Sequence, residues 1–271
     1  MATIAVGDIH GNLAALLDLL GQLRHEVGGE DVVVFLGDYI DRGDDSRGCI
    51  DAILAFRRES PAEVTCLRGN HEDWLLRTQK DYACHSWLLG MEGLDTVRSY
   101  SPEAERALRE EVREAGLQLY VGRYELAYDQ FFDALPEAHR AFFAELVLGF
   151  ESPDCICTHA GLNPRVSKLA DQTPESLVWG NEAFPAEYRG ETAVVYGHWN
   201  NAELDAHQWP RPKIVGNTIG IDTISHGVLT AIRMPDRQVF QSARHALSKP
   251  GLTAVCSQRA LMGKPIRAIR R

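Results

Sequence analysis

Five short clusters in this sequence combine glycine with side chains that hold metals or move protons. They are Gly7-Asp8-Ile9-His10-Gly11, Gly37-Asp38-Tyr39-Ile40-Asp41-Arg42-Gly43, Arg68-Gly69-Asn70-His71-Glu72, Thr158-His159-Ala160-Gly161 and Tyr196-Gly197-His198. Their donors are Asp8, His10, Asp38, Asn70, His159 and His198. A mixture of carboxylate, imidazole and amide suits manganese, iron or zinc rather than a cysteine-rich structural zinc site. Six donors are too many for one tetrahedral ion. They serve two ions if one carboxylate bridges, and Asp38 is the natural bridge. Two ions about 3.5–4 Å apart clamp a phosphoryl group and acidify the water between them, which becomes hydroxide near neutral pH and attacks phosphorus in line. One such cluster would mean little, because Asp caps helices and most lone histidines are simply hydrogen-bonded. Five of them in this order carry the two-metal reading.

Each cluster stands at the carboxyl end of a predicted strand, the edge of an α/β sheet where ligands bind. Thr3 to Val6 is the first strand. From Asn12 to Leu23, apolar residues at 13, 16, 17, 20 and 23 form a helical stripe with Asn12 as its N-cap. Val32 to Leu36 is a continuous apolar run, the pattern of a strand buried on both faces. Ser46 to Arg57 is helical again, and Val64 to Leu67 is a third strand. This βαβαβ order implies parallel strands with right-handed crossovers. Residues from about 72 to 150 read mainly as helix, for example Pro102 to Ala115 and Glu137 to Leu148, and predict a helical insertion near the cleft. Strand signals return at Cys155 to Thr158, Ala193 to Tyr196, Thr218 to Ile221, Val228 to Arg233 and Gln238 to Gln241. The close spacing of the last three predicts antiparallel pairing.

The 271 residues are 45% hydrophobic and 24% charged. That is an ordinary globular mixture and excludes a disordered chain, a collagen and a coiled coil. No apolar run approaches the ~20 residues of a membrane span. The N-terminus lacks a basic segment and cleavage site, so no secretory signal is expected and the expected compartment is the cytoplasm. Six cysteines without a Cys-x-x-Cys pair predict reduced thiols. Cys155 and Cys157 share one face of a strand and are expected as small core residues. The net charge of -10 speaks against a nucleic-acid partner. The end of the chain differs: residues 244–271 hold seven Lys or Arg and no acid, leaving -17 for the rest. We expect one domain over 1–243 and a solvated basic tail over 244–271.

Together the five clusters resemble the signature of the PPP-type metallophosphatases, within the calcineurin-like metallophosphoesterases. The chain is similar to the small bacterial and phage serine/threonine protein phosphatases from about Ala2 to Phe240, with weaker marks at Trp87 to Tyr100 and Gly220 to Ala231. The resemblance implies an α/β fold in which two sheets of mixed strands form a sandwich flanked by helices. It implies that Asp8, His10 and Asp38 hold a first metal, and that Asp38, Asn70, His159 and His198 hold a second. Manganese is the expected ion, with iron or zinc as alternatives. His71 would be the general acid that protonates the leaving oxygen, oriented by Asp41. Arg42 and Arg68 would lie near the substrate phosphate, where arginine forks bind oxygens bidentately. The alkoxide of phosphoserine is very basic, so its departure needs a proton donor more than that of a phenol does.

Some positions depart from the family pattern. Small bacterial relatives often carry a phosphate-gripping Arg where Trp179-Gly180-Asn181-Glu182 has Asn181. Arg165 and Arg189 are candidate replacements. Ile224-Ser225-His226 stands where relatives often have Gly-Ala-Val, and His226 is expected outside the metal ligands. The five tryptophans, Trp74, Trp87, Trp179, Trp199 and Trp209, are expected mostly as packing residues, Trp199 having the best claim to the cleft. The expected function is phosphomonoester hydrolysis on a phosphorylated protein or a small phosphoester, with phosphoserine, phosphothreonine or phosphotyrosine as the group attacked. The alternatives are a symmetrical diadenosine tetraphosphate hydrolase and a non-catalytic scaffold of the same fold. Glu72 and Asp41 lean toward the protein phosphatases. No membrane partner is expected, and the oligomeric state is left open.

Overall fold

A computed structural model gives the structure of the protein and describes residues 1–200 and 202–246. The chain runs β1 (Thr3–Val6), α1 (Leu13–Leu23), β2 (Val32–Phe35), α2 (Ser46–Glu59), β3 (Glu63–Cys66), then seven helices. These are α3 (Asn70–Lys80), α4 (Ser86–Gly90), α5 (Gly93–Tyr100), α6 (Pro102–Ala115), α7 (Gln118–Val121), α8 (Asp129–Ala134) and α9 (Glu137–Glu145). Next come β4 (Gly149–Glu151), β5 (Cys155–Thr158), α10 (Pro174–Val178), β6 (Ala193–Tyr196), β7 (Ala202–Leu204), β8 (Pro210–Val215), β9 (Thr218–Gly220), β10 (Thr230–Met234) and β11 (Gln238–Gln241). One sheet has the order β11-β10-β1-β2-β3 and the other β4-β5-β6-β9-β8-β7. Both mix parallel and antiparallel pairs, as the resemblance implies.

Period-two alternation makes the sandwich. In β1, Ile4 and Val6 join a core shared with the helices, while Ala5 joins the core between the sheets. In β2, Val33 and Phe35 face the helices, and Val32 and Val34 face the other sheet. In β5, Cys155 and Cys157 face the first sheet, with their sulfurs 3.8 Å apart, and Ile156 faces an outer core with Val194 and Tyr196. The continuous apolar runs are therefore strands between two cores. Both cysteines are buried free thiols, as expected.

The α1 boundary follows its cap: the Asn12 side chain accepts from the Ala15 backbone N–H at 3.2 Å. Helices α3 to α9 fill the stretch expected to be helical. They bury Trp87, Val97, Phe131 and Phe142 in the same core as Ile50 and Phe56 of α2. The expected antiparallel trio is corrected. β10 and β11 do pair antiparallel in the first sheet, but β9 lies in the second sheet, parallel to β6. Its antiparallel neighbour is β8, a polar strand without a readable alternation. The basic tail beyond residue 246, and Cys256 with it, lies outside the described residues.

β1, β2 and β3 are mutually parallel, and so are β5, β6 and β9. Their carboxyl ends therefore open on one edge of the sandwich. No helix among the described residues is long and apolar enough to cross a membrane.

Candidate metal centre

Asp8 and His10 follow β1, Asp38, Asp41 and Arg42 follow β2, and Arg68 follows β3. Asn70 and His71 open α3, His159 follows β5 and His198 follows β6. The turns are tight. Backbone φ is positive at His10 (47°), Asp38 (52°), Asp41 (69°), Arg42 (66°) and His198 (66°). Asp and His tolerate this left-handed region better than most residues, and strained backbone of this kind, costing about 1–3 kcal/mol per residue, clusters at functional sites. Two glycines allow close approach: a Cβ at Gly69 would stand 2.1 Å from Asp38 Oδ1, and one at Gly197 would stand 2.0 Å from Asp8 Oδ1.

The nominated donors converge around Asp38. Its Oδ2 lies 3.5 Å from His10 Nε2 and 3.9 Å from His71 Nε2, and its Oδ1 lies 3.5 Å from His159 Nε2. Asn70 Oδ1 is 3.0 Å from His159 Nε2 and 2.9 Å from His198 Nδ1. Asp8 is outside both close groups of metal-capable atoms, and its Oδ2 accepts from the His198 backbone N–H at 2.9 Å. Asp38 thus offers one oxygen to each of two groups, the place a bridging ligand must have.

The chemistry of these donors fits cations. His10 Nδ1 donates to the Ile40 carbonyl at 3.0 Å and His159 Nδ1 to the Leu36 carbonyl at 2.9 Å. A carbonyl only accepts, so both rings carry their proton on Nδ1 and point a lone pair of Nε2 inward. Asn70 Oδ1 then faces lone pairs and a carboxylate, with donors supplied only if its amide is turned over. Asp8 Oδ1 and His198 Nε2 are buried with no partner. Converging acceptors with orphaned atoms beside them are costly without a positive charge to share.

Electrostatics agree. Burial pushes the Asp38 carboxyl up to about 7, partly offset by the Arg42 guanidinium. Burial, then Asp222 and Asp38, raise Asp8 well above the usual carboxylate range. Burial lowers His159 to about 4 and holds His10, His71 and His198 well below the usual imidazole value. The proposed ligand imidazoles His10, His159 and His198 stay neutral, which a metal ligand requires.

His71 Nε2 lies with His10 and Asp38 in one of the two groups of metal-capable atoms, but its other nitrogen is held from outside them. Its Nδ1 is 2.7 Å from Asp41 Oδ2. The Asp41 carboxylate also accepts from Trp87 Nε1 at 3.0 Å and from Thr96 Oγ1 at 2.5 Å. Trp87 and Thr96 come from α4 and α5, so the helical segment builds part of the site. Sequence reasoning gave neither a role: nothing in their spacing relates them to Asp41. In the sequence Glu72 marks only substrate preference. It is a fully buried brace, accepting from the backbone N–H of Asp38, Tyr39 and Gly69 at 2.9, 2.9 and 3.0 Å. Asp222, after β9, is a buried carboxylate that accepts from the Asn200 N–H at 2.5 Å and secures the loop of His198.

The arginines take different positions. The Arg42 guanidinium donates to His10 Nε2 at 2.9 Å and His71 Nε2 at 3.1 Å, so it spans the first donor group itself. Arg68 has a buried Nε without a partner, and its NH1 is 3.9 Å from Asp73 Oδ1. Asn181 Oδ1 accepts from the Ala183 N–H, Arg165 pairs with Glu187, and Arg189 donates to the Ala186 and Tyr188 carbonyls. All three are committed locally. His226 is outside both groups of metal-capable atoms.

Two mixed sheets whose parallel strands deliver carboxylates and imidazoles to one edge define a metal-dependent phosphoesterase architecture. The chain belongs to the calcineurin-like phosphoesterase family, whose pattern matches residues 1–227. It is 23% identical over 261 residues to the asymmetrical bis(5'-nucleosyl)-tetraphosphatase PrpE of Oceanobacillus iheyensis, covering 88% of this chain and 90% of that one. It is 42% identical to serine/threonine-protein phosphatase 1 of Salmonella typhimurium over 84 residues, 31% of this chain and 36% of the relative. The solved structure of a provisionally assigned diadenosine tetraphosphatase superposes with a TM-score of 0.57 at 21% identity, covering 89% of this chain and 92% of that one.

Proposed function

We propose that the protein hydrolyses phosphomonoesters of alcohols, with phosphoserine and phosphothreonine side chains of proteins as the principal substrates. The observation that carries this reading is the His71–Asp41 pair beside the donor groups. A buried imidazole held by a carboxylate suits the protonation of a poor leaving group. A nucleoside phosphate, as leaving group, is far less basic and has less need of it.

The residues divide the work. Asp8, His10 and Asp38 would hold one divalent ion, and Asp38, Asn70, His159 and His198 a second. Two such ions acidify a shared water and neutralise charge on the phosphoryl oxygens. His71 Nε2 gives its proton to the ester oxygen as the P–O bond breaks. Asp41 fixes the ring through Nδ1. Arg68, with its unpartnered Nε, supplies a donor to a phosphoryl oxygen. Arg42 must leave the two imidazoles before His71 Nε2 can carry a proton.

The similarity to tetraphosphatases over most of the chain favours a second reading, hydrolysis of a dinucleoside tetraphosphate. The test is a comparison of initial rates for the manganese-loaded protein. Phosphoserine peptide, phosphotyrosine peptide and diadenosine tetraphosphate are supplied at equal concentration. Phosphate release from the phosphoserine peptide should be fastest. Faster release of ADP, or of ATP and AMP, from the dinucleotide replaces the first reading with the second.

A further inference from the structure

Beside the metal-capable group a row of aromatic rings begins. Trp199 follows His198, and its ring meets the His198 imidazole edge-on, with centroids 4.6 Å apart. The indole is fixed in place. Its Nε1 donates to the Ala160 carbonyl at 3.0 Å. Gly180, at φ +90°, makes its seat: a Cβ there would stand 2.3 Å from Trp199 Cζ2. Yet Trp199 remains 39% exposed. An indole ordered on two sides and still open to water is a preformed apolar surface, and it adjoins a site that holds phosphate in our reading.

The row continues away from the donors. Trp179, next to Gly180, donates from Nε1 to Asp73 Oδ2 at 3.1 Å and meets Trp74 edge-on at 5.7 Å. The Arg77 guanidinium lies 5.0 Å from the Trp74 ring centroid, and its NH2 is 2.8 Å from Asp73 Oδ2. Asp73, Trp74 and Arg77 belong to α3, the helix that opens with Asn70 and His71, and Trp179 follows α10. The chain on either side of the Gly180 seat therefore carries aromatic rings, with the Arg77 guanidinium beside them.

We propose that Trp199 is a specificity residue that stacks a planar aromatic ring carried by the phosphate compound in the site. This rests on the phosphoester-hydrolase reading above but not on its choice of phosphoserine and phosphothreonine, which carry no ring; a ring-bearing substrate takes their place if the test below succeeds. A phosphoryl group held by the donor groups would have the exposed indole beside His198 within reach of the next part of its own molecule. A flat ring can cover the indole without distorting it, and every nucleobase or phenyl ring has such a face. The ring has two sources, the base of a nucleotide or the phenyl group of phosphotyrosine, and the stacking chemistry is common to both.

Two pairs of ligands that the enzyme cannot hydrolyse separate the cases. Methylenediphosphonate is compared with α,β-methylene-ADP, which adds adenosine. Methylphosphonate is compared with phenylphosphonate, which adds the phenyl ring. Affinities are measured calorimetrically on the manganese-loaded protein and on Trp199→Ala and Trp199→Leu, the second keeping bulk without an aromatic face. Stacking corresponds to roughly 5- to 150-fold in affinity. We expect an advantage of at least about fivefold for one or both ring-bearing ligands, reduced to near parity by either substitution. An advantage confined to the adenosine pair identifies a nucleobase, and one confined to the phenyl pair identifies tyrosine. Parity in the unaltered protein, or an advantage that survives both substitutions, overturns the role of Trp199. Failure of every phosphonate to bind overturns the catalytic reading beneath it instead.

Discussion

His71 Nδ1 lies 2.7 Å from Asp41 Oδ2, and both side chains are fully buried. The contact fixes which face of the imidazole turns toward Asp38, since a ring that donates from Nδ1 presents Nε2 to the donor groups. The pair is built from two chain segments, the turn after β2 and the first turn of α3. Both are anchored by Glu72, which holds the backbone of Asp38 and Tyr39 on one side and of Gly69 on the other. One buried carboxylate thereby sets the register between the proposed bridge and the proposed acid.

Replacing the acid should separate substrates by leaving group. His71→Asn removes the proton donor but none of the six proposed ligands. Turnover of phosphoserine peptide should fall by about 10²–10⁴-fold, the usual contribution of general acid catalysis. Turnover of p-nitrophenyl phosphate, whose phenolate leaves unaided, should fall much less. Manganese affinity measured by calorimetry should change little. Equal losses on both substrates would remove His71 from the leaving-group side.

The supports of Asp41 should matter through His71. Trp87→Phe deletes the indole N–H, which is 3.0 Å from Asp41 Oδ2, while keeping most of the ring. A hydrogen bond to a charged group contributes about 1.5–3 kcal/mol, and here the loss falls on the orientation of the acid as well as on stability. We expect roughly tenfold lower kcat on phosphoserine peptide, with KM and manganese affinity nearly unchanged, and a lower melting temperature. The same substitution in a His71→Asn background should then have little further effect on kcat. An undiminished effect there would show that Trp87 acts by another route.

Much of this site was legible because parallel strands end where their chemistry begins. Asp8, His10, Asp38, Asn70, His159 and His198 each stand within a few residues of a strand end or helix start, so local patterning sufficed to bring them to one edge. The contribution of Trp87 and Thr96 was not legible. They meet Asp41 across 46 and 55 residues through helix packing, and helical periodicity does not say which turn faces which strand. β9 was misplaced for a related reason. Spacing in sequence favoured a hairpin with β10, but the turn through Asp222 carries the chain from one sheet to the other. The position of Arg42 was hidden too, since the motif fixes its place in the turn but not the direction of a long side chain.

Removing the proposed bridge should stabilise the metal-free protein while destroying the site. Asp38 is buried and its carboxyl is pushed up to about 7. A raised carboxyl binds its proton more tightly in the folded state, so its contribution to stability falls as pH rises from the unfolded value near 4 toward 7. At pH 8 Asp38→Asn removes a buried charge that Arg42 and the His71 backbone N–H offset only in part. In EDTA its melting temperature should exceed that of the unaltered protein by several degrees. At pH 5 Asp38 carries its proton, and the gap should narrow strongly. Added manganese should raise the melting temperature of the unaltered protein only, because binding to the folded state alone stabilises by mass action. A variant less stable than its parent at pH 8 in EDTA would mean that the carboxylate is already compensated.

Arg42 should show opposite effects on metal and substrate. Its guanidinium occupies His10 Nε2 and His71 Nε2, atoms that point toward Asp38 Oδ2. Entry of a cation beside His10 requires that guanidinium to move, and the displaced positive charge is then free to meet a phosphate. Arg42→Ala removes the obstacle and the repulsion, so manganese should bind more tightly, by roughly tenfold if one hydrogen bond to a charged group is no longer broken on entry. The same change deletes the phosphate contact proposed for this arginine, so KM for phosphoserine peptide should rise by a similar factor. Calorimetry for the ion and steady-state kinetics at saturating manganese measure the two separately. Weaker manganese binding in Arg42→Ala would show that the arginine supports the ligand geometry rather than standing in its place.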